Sequence, residues 1–308
     1  MPEPEVCFLT FNVGLLKIKL MGRSMIETPP HVDARFEAIL EKLPIAVQEH
    51  GVDVLALQEI YSDSQVALLM ERLPTLPYKA RVANHHFWQF HNGLLFLSKW
   101  PLTVSIQKHK QSSALESVFA SKSCLVAKME TPIGKIAWAN LHTTAGGGAD
   151  PEAGAVDQVR QSELQEAVNL CTAARADGYA PLIVGDLNCG PESSAENYEF
   201  LSDCGFQDLV LPFAESIGCT WDPTSPLNNM TVFANSPACR IDHVFADSQA
   251  PVEASKAVKV FTEEDVTVPG KGKRTAQQVG LSDHFGVLVH LRQGKPTSPT
   301  SVAVKFDP

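Results

Sequence analysis

Apolar residues fall along this chain in short runs bounded by turn residues, at Cys7 to Val13, Val54 to Ile60, Gly93 to Trp100 and Cys124 to Met129. Four more follow at Ile136 to His142, Leu182 to Asn188, Ile241 to Ala246 and Phe285 to Leu291. Runs of this length predict buried strands. Helical spacing takes over in three places. Phe36, Ile39, Leu40, Leu43 and Val47 recur at three- and four-residue intervals, with Pro44 expected to kink the helix and Gly51 to end it. Leu164, Ala167, Val168, Cys171 and Ala174 mark a second helix. A third is predicted to open at Ser193, whose hydroxyl would cap it while Glu196 completes a capping box ahead of Tyr198 and Leu201. Strands and helices in this order predict two packed sheets with helices outside, not one doubly wound parallel sheet. Thr262 to Gly280 reads as a long polar loop carrying Lys271, Lys273 and Arg274, and the Gly/Pro/Ser/Thr-rich stretch from Gln293 onward reads as a disordered tail.

Length and composition narrow the class. The 308 residues suffice for two domains of about 150 residues or for one large sandwich, and composition does not choose between them. Apolar residues make up 44% and charged residues 19%, the balance of a soluble protein with a full core. A net charge of −10 gives no global attraction to a nucleic acid backbone, although a local basic patch or a bound cation can still hold phosphate. The seven cysteines include no C-x-x-C pair, so reduced thiols in a cytoplasmic protein are the simplest reading. The acidic, Pro-rich stretch from Met1 to Glu5 does not resemble a secretory signal, and no apolar stretch approaches the ~20 residues that span a bilayer. A soluble protein is expected, with peripheral contact at a membrane surface still open to it.

The chemistry lies where the strands stop being apolar. Leu9-Thr10-Phe11 ends in Asn12, Leu55-Ala56-Leu57 in Gln58-Glu59, Ala137-Trp138-Ala139 in Asn140-Leu141-His142, and Leu182 to Gly185 in Asp186-Leu187-Asn188. Arg240-Ile241-Asp242 opens a later strand and Ser282-Asp283-His284 precedes the last. Ligand crevices in layered α/β proteins lie at such strand ends. Taken singly, a strand-ending Asn or Asp is usually a turn residue. Several carboxylates arriving on core strands are another matter, because buried carboxylates are costly unless paired or metal-bound. Glu59, Asp186, Asp283, Asn12 and Asn188 offer oxygen ligands, which suit a hard cation such as Mg²⁺ or Ca²⁺ better than zinc. Two histidines beside them supply the acid and base capacity for cleaving a phosphate ester.

These segments resemble the endonuclease/exonuclease/phosphatase superfamily, which includes deoxyribonucleases, apurinic endonucleases, inositol polyphosphate phosphatases and neutral sphingomyelinases. T-F-N at 10 to 12, L-Q-E at 57 to 59, G-L-L-F-L-S-K-W-P at 93 to 101, N-L-H at 140 to 142, G-D-L-N at 185 to 188, R-I-D at 240 to 242 and S-D-H at 282 to 284 stand in the family's order. The resemblance implies an α+β fold, a four-layer α/β/β/α sandwich of two mixed, largely antiparallel sheets. It implies one catalytic domain over 1–292 and a flexible tail over 293–308. Carried over by position, Glu59 would be the principal metal ligand, Asn12 would help hold the metal against the scissile phosphate, and Asp283 would lie near it. Asp186 would align or deprotonate the attacking water, Asn188 would bond the phosphoryl oxygens, and Asp242 would orient His284. His142 and His284 would share the acid and base roles in an unassigned order, and Asn140 would lie on the substrate side. The metal would be Mg²⁺, with Mn²⁺ or Ca²⁺ as alternatives.

Within the superfamily the middle strand, the F-A-S-K-S-C-L segment at 119 to 125 and V-F-T-E-E-D ahead of L-S-D-H-F-G-V look most like neutral sphingomyelinases. That likeness implies a phospholipid substrate. Ser121 and Ser123 replace the glycines that usually flank the lysine, so Lys122 reads either as a substrate contact or as an exposed strand lysine. His85 to His91, with Phe87, Trp88 and Phe90, reads either as a lipid-facing edge or as packing on the sandwich. A nuclease is the alternative, lowered by the acidic charge. A phosphatase of inositol or sugar phosphates comes next, and a catalytically dead binding module last.

Overall fold

The computed structural model describes residues 3–20, 23–81, 92–109, 122–146, 153–230, 234–270 and 276–294. In chain order the elements begin with β1 (Glu5–Asn12), β2 (Leu16–Leu20), β3 (Arg23–Thr28), α1 (Val32–His50), β4 (Val54–Gln58), α2 (Asp63–Arg72), β5 (Tyr78–Arg81), β6 (Leu95–Ser98) and β7 (Leu102–Lys108). They continue with β8 (Ser123–Thr131), β9 (Gly134–His142), α3 (Ala153–Ala176), β10 (Ala180–Asp186), α4 (Ala195–Asp203), β11 (Phe206–Asp208) and α5 (Ala214–Ile217). The last are β12 (Asp242–Asp247), β13 (Val252–Val260), β14 (Val266–Val268), β15 (Gln277–Val279) and β16 (Gly286–Gln293).

Two six-stranded sheets, ordered β13-β16-β1-β4-β6-β5 and β11-β12-β10-β9-β8-β7, pack face to face. Between them Phe8 stacks on Trp138 at 4.5 Å, inside a core that also holds Val54, Phe96, Leu182 and Val289. The outer face of the first sheet buries Leu9, Phe11 and Leu55 under Phe36, Ile39 and Leu43 of α1 and Val66 and Leu69 of α2. The outer face of the second buries Ala139, Leu141 and Ile183 under Leu164, Ala167 and Cys171 of α3 and Leu201 of α4. The four-layer α/β/β/α sandwich is therefore present as the sequence implied, and both sheets are mixed.

Mixing is what places the site. Each sheet contains one parallel pair, β1 with β4 and β9 with β10, and antiparallel pairings elsewhere. In the first pair Asn12 lies level with Gln58, and in the second His142 lies level with Asp186. Antiparallel β12 enters beside β10 with Asp242 opposite Asp186, and β16 enters beside β1 with Thr10 opposite Val287, just past His284. Carboxyl ends of four strands and amino ends of two thus meet at one end of the sandwich.

Helix α1 contains Pro44 and ends at Gly51, as expected, in the left-handed conformation, φ 62°. Other expectations change. The third helix does not use the predicted capping box: Ser194, at φ 52°, is its N-cap and makes no side-chain cap bond. Its hydroxyl instead donates to Asp157 Oδ1 at 2.8 Å, while Ser193 bonds backbone to backbone with Gly190. Part of the expected polar loop at 262 to 280 is a hairpin, with β14 antiparallel to β15. Helix α2 and the β2–β3 hairpin were not foreseen. Strand β16 includes Gln293, one residue into the stretch read as tail. The His85 to His91 segment lies outside the described residues.

Gly185 shows how tightly the two inner strands of the second sheet approach. It sits at φ 118°, and a Cβ there would lie 2.2 Å from the Leu141 carbonyl oxygen on β9. Backbone cannot yield as a side-chain tip can, so Gly185→Ala is expected to lower stability by at least about 3 kcal/mol. Urea denaturation should show a fall in unfolding free energy of that size; a change under about 0.5 kcal/mol would contradict this packing.

Candidate active site

A polar floor joins the sheets beneath the cluster. Asn140 is fully buried and donates through Nδ2 to the carbonyls of Leu57 at 3.1 Å and Leu95 at 3.4 Å on the opposite sheet. Its Oδ1 accepts from Gln58 Nε2 at 2.8 Å, and that nitrogen also reaches Thr10 Oγ1 at 3.1 Å. With both ends of its amide engaged, Asn140 ties the two sheets together beneath the cluster.

Above the floor, Asn12 lies at the centre. Its Nδ2 donates to Glu59 Oε1 at 3.1 Å and to Asp186 Oδ2 at 2.9 Å, while its Oδ1 accepts from Gly14 N at 3.0 Å. The amide nitrogen thus faces both carboxylates and orients them, while the oxygen faces the Gly14 backbone. His142 Nε2 lies 3.8 Å from Glu59 Oε1 and 3.6 Å from Asp186 Oδ2. His284 Nε2 lies 3.6 Å from the same Asp186 oxygen, and its Nδ1 is 2.9 Å from Asp242 Oδ2. Four side chains that span residues 59 to 284 thus surround one small space.

Backbone strain helps to set these positions. Glu59 holds φ 58° and Asn188 φ 46°, a region costing an ordinary residue about 1–3 kcal/mol. Leu15 N bonds the Glu59 carbonyl at 3.1 Å, and Asn188 N bonds Asp186 Oδ1 at 2.9 Å. Asn188 Nδ2 is given to the Thr143 carbonyl at 3.1 Å. Asp283 stands at the edge, its Oδ1 accepting from Ser282 Oγ at 3.1 Å and lying against Gly14.

Lys122 is not the exposed strand lysine allowed by one reading. It is buried, and its Nζ donates to the Thr143 carbonyl at 2.6 Å, directly after His142. The same turn is held from α3: Glu163 accepts from Thr144 N at 2.7 Å and Oγ1 at 2.9 Å, and Arg160 donates to the Thr144 carbonyl. Sequence reasoning passed over these α3 residues, and over Arg35, Thr220, Asp208 and His243. Arg35 lies four residues before Ile39 on the buried stripe of α1, the one local signal that it points inward. Thr220 Oγ1 accepts from the backbone of Ile241 and Asp242, fixing the start of β12. Asp208 pairs with Arg240 at 2.6 Å and His243 at 3.2 Å, and His243 Nε2 lies 2.9 Å from the Cys189 carbonyl, next to Asn188.

Burial and crowding of like charges set the protonation. Burial, then the Asp283 charge, push the Glu59 carboxyl up to about 7 against the Asn12 hydrogen bond. Asp186 is raised to about 6, again chiefly by burial, with His284 opposing and Asp242 adding to the rise. Burial alone would lower His284, but Asp242 and Asp186 outweigh it and hold the imidazolium well above the usual histidine range. His142 goes the other way, well below that range, because it is buried and faces the positive charges of Lys122 and His284. At neutral pH one imidazole is charged and the other neutral.

The donor set fits a hard divalent cation. Among the described residues neither Glu59 nor Asp186 is ion-paired to a lysine or arginine, and both carboxylates stay raised by burial and crowding, which a bound cation would relieve. Asp186, Asp242 and His284 bring potential ligand atoms within 4.8 Å of one another. Asp242 Oδ1 is buried and without a hydrogen bond among the described residues.

Solved structures share this architecture. Sphingomyelinase C from Streptomyces griseocarneus superposes with a TM-score of 0.72 at 19% identity, covering 93% of this chain and 99% of that one. A beta toxin variant from Staphylococcus aureus with bound magnesium ions gives 0.67 at 15% identity, covering 95% and 100%. TDP2 from D. rerio, complexed with a single-strand DNA product, gives 0.65 at 16% identity, covering 94% and 99%. No curated protein sequence matches the chain. A sequence profile of the endonuclease/exonuclease/phosphatase family matches residues 9–284, which takes in every strand end of the site. With that span matched and the carboxylates and imidazoles gathered at one end of the sandwich, the chain belongs to the endonuclease/exonuclease/phosphatase family of metal-dependent phosphoric ester hydrolases.

Proposed function

We propose that this enzyme is a Mg²⁺-dependent phosphodiesterase that cleaves a sphingomyelin-like phospholipid into a phosphorylated headgroup and a lipid alcohol. The observation that carries the hydrolytic part is the meeting of Glu59, Asp186, His142 and His284 around a shared space, with nitrogen to oxygen distances of 3.6 to 3.8 Å. Glu59 and Asp186 would hold the cation, with Asp283 beside them and Asn12 setting the angle between the two carboxylates. When bound, the cation neutralises charge developing on the phosphoryl and leaving oxygens. Asp186 aligns the attacking water, and neutral His142 accepts its proton through Nε2. Charged His284, held at Nδ1 by Asp242, faces the phosphoryl group and supplies the proton to the leaving oxygen. Burial, and then the charge of Lys122, keep His142 neutral, and Lys122 also holds the following turn by its hydrogen bond.

The lipid part of the reading is supported by the sphingomyelinase-like segments and by the sphingomyelinase C structure with the same fold. A net charge of −10 also disfavours a polyanionic substrate. No helix of the described residues is long and apolar enough to cross a membrane. Incubation with mixed sphingomyelin and phosphatidylcholine vesicles, with Mg²⁺ and with chelator, tests both parts. Mg²⁺-dependent release of water-soluble headgroup is expected. Nicking of plasmid DNA with the vesicles untouched would move the substrate to nucleic acid, and retention of either ligand without turnover under any metal would remove the enzyme reading.

A further inference from the structure

Arg35 lies in the first turn of α1 and is completely buried. All five of its N–H groups are used. Nε donates to the Pro30 carbonyl at 2.9 Å, one terminal nitrogen to Val13 at 3.1 Å and Leu281 at 3.0 Å, and the other to Pro29 at 3.0 Å and to Gly14. Every acceptor is a neutral backbone oxygen. A fully buried guanidinium without a carboxylate in direct contact is costly unless opposite charge lies close by.

That charge belongs to the active site. Burial pulls the Arg35 guanidinium down to about 10, and the acids that oppose this are Asp283, then Glu59, then Glu27. Glu27 is occupied at the start of α1, where it accepts from Val32 N at 2.6 Å. The segments Arg35 grips are also those that carry the other two acids. Gly14 is so close to Asp283 that a Cβ on it would lie 2.6 Å from Oδ1, and Leu281 is two residues before Asp283. Val13 N bonds the Gln58 carbonyl and Leu15 N the Glu59 carbonyl, each at 3.1 Å.

We propose that Arg35 is a positioning residue whose buried charge, set against the segments that carry Glu59 and Asp283, serves as the built-in counter-charge of the acidic centre and weakens metal binding by drawing on the same carboxylates. The proposal rests on the metal-centre reading above. A cation and the guanidinium both draw on the charge of Glu59 and Asp283, so each reduces what the other gains. The fold can then assemble its carboxylates before metal arrives, and the metal remains exchangeable.

Calorimetric titration with MgCl₂ and melting curves in chelator or saturating Mg²⁺ separate this role from plain bracing. Arg35→Gln removes the charge, and its Kd for Mg²⁺ is expected to fall about tenfold, with a larger loss of Tm in chelator than in Mg²⁺. Arg35→Lys keeps the charge with three donors in place of five; its Tm should drop in both conditions while its Kd stays within about threefold of wild type. An unchanged or weaker affinity in Arg35→Gln overturns the proposal. Should that variant not fold, a shift beyond threefold in Arg35→Lys does so. Absence of any Mg²⁺ effect on the wild type would instead defeat the metal-centre reading itself.

Discussion

Glu59→Gln is expected to reduce turnover of a phosphodiester by about 10³-fold or more while making the metal-free protein more stable at pH 8. The first effect follows from losing a carboxylate proposed to hold the cation, whose charge neutralisation is worth several kcal/mol in the transition state. The second follows from crowding. Glu59 is raised from 4.5 to about 7 by burial and by Asp283, so the folded state holds its proton more tightly than the unfolded chain does. Stability from such a group is fully present below about pH 4.5 and is lost as pH rises through about 7. At pH 8 the ionised carboxylate therefore costs the metal-free fold up to about 3 kcal/mol. The 15% of the side chain that remains exposed makes that an upper limit. Glutamine keeps the shape and removes the charge, so Tm in chelator should rise by about 5 °C at pH 8 and by almost nothing at pH 4.5. Saturating Mg²⁺ should reverse the order, because only the wild type retains the full site. Differential scanning fluorimetry beside a headgroup-release assay reads both effects. A variant that keeps wild-type turnover removes Glu59 from the metal site; one that loses Tm at both pH values makes it a packing residue.

Strand periodicity showed why so much of the fold was legible. Runs such as Phe8 to Phe11 and Leu182 to Val184 are buried on both faces, so they read as continuous apolar segments with sharp polar ends. Those ends converge at one end of the sandwich, and hence the residues gathered there could be named from one sequence. Edge elements were harder. Tyr78–Arg81 and Gln277–Val279 are short, half polar and paired on one side only, which leaves no periodic signal to separate them from loop. The capping box at Ser193 failed because Ser194 was drawn into a tertiary contact with Asp157 and Arg160, residues more than thirty positions away. Long-range contacts likewise decide side-chain roles: Asn12 and Asn140 look alike as strand-end amides, yet one faces the carboxylates and the other ties the sheets together. Arg35 hid in plain view because a charged residue on an apolar stripe is read as snorkelling until its acceptors are seen.

The Asp242→Asn variant should narrow the pH range of activity from its alkaline side. Under the proposed mechanism the reaction needs His142 neutral and His284 charged, and the environment separates them in that order. Burial, Lys122 and His284 keep His142 well below the usual histidine value, while Asp242 and Asp186 overcome burial to hold His284 well above it. At saturating Mg²⁺, which would keep Glu59 and Asp186 ionised, the expected profile of kcat/KM is a broad plateau, with its acid limb below about 6.5 and its alkaline limb well above it. Asparagine can still accept from Nδ1 at the position now 2.9 Å away, so the ring stays oriented, but the charge that favours the imidazolium is gone. The alkaline limb should then move toward neutrality, costing at least about tenfold more activity at pH 8.5 than at pH 6. Stability follows the same sign. A histidine raised in the folded state contributes stability fully below about pH 6.5 and loses it as pH rises through the folded value, so the variant should lose more Tm at pH 6 than at high pH. An equal loss of kcat/KM at every pH would show that Asp242 only positions the ring and that His284 reacts without its charge.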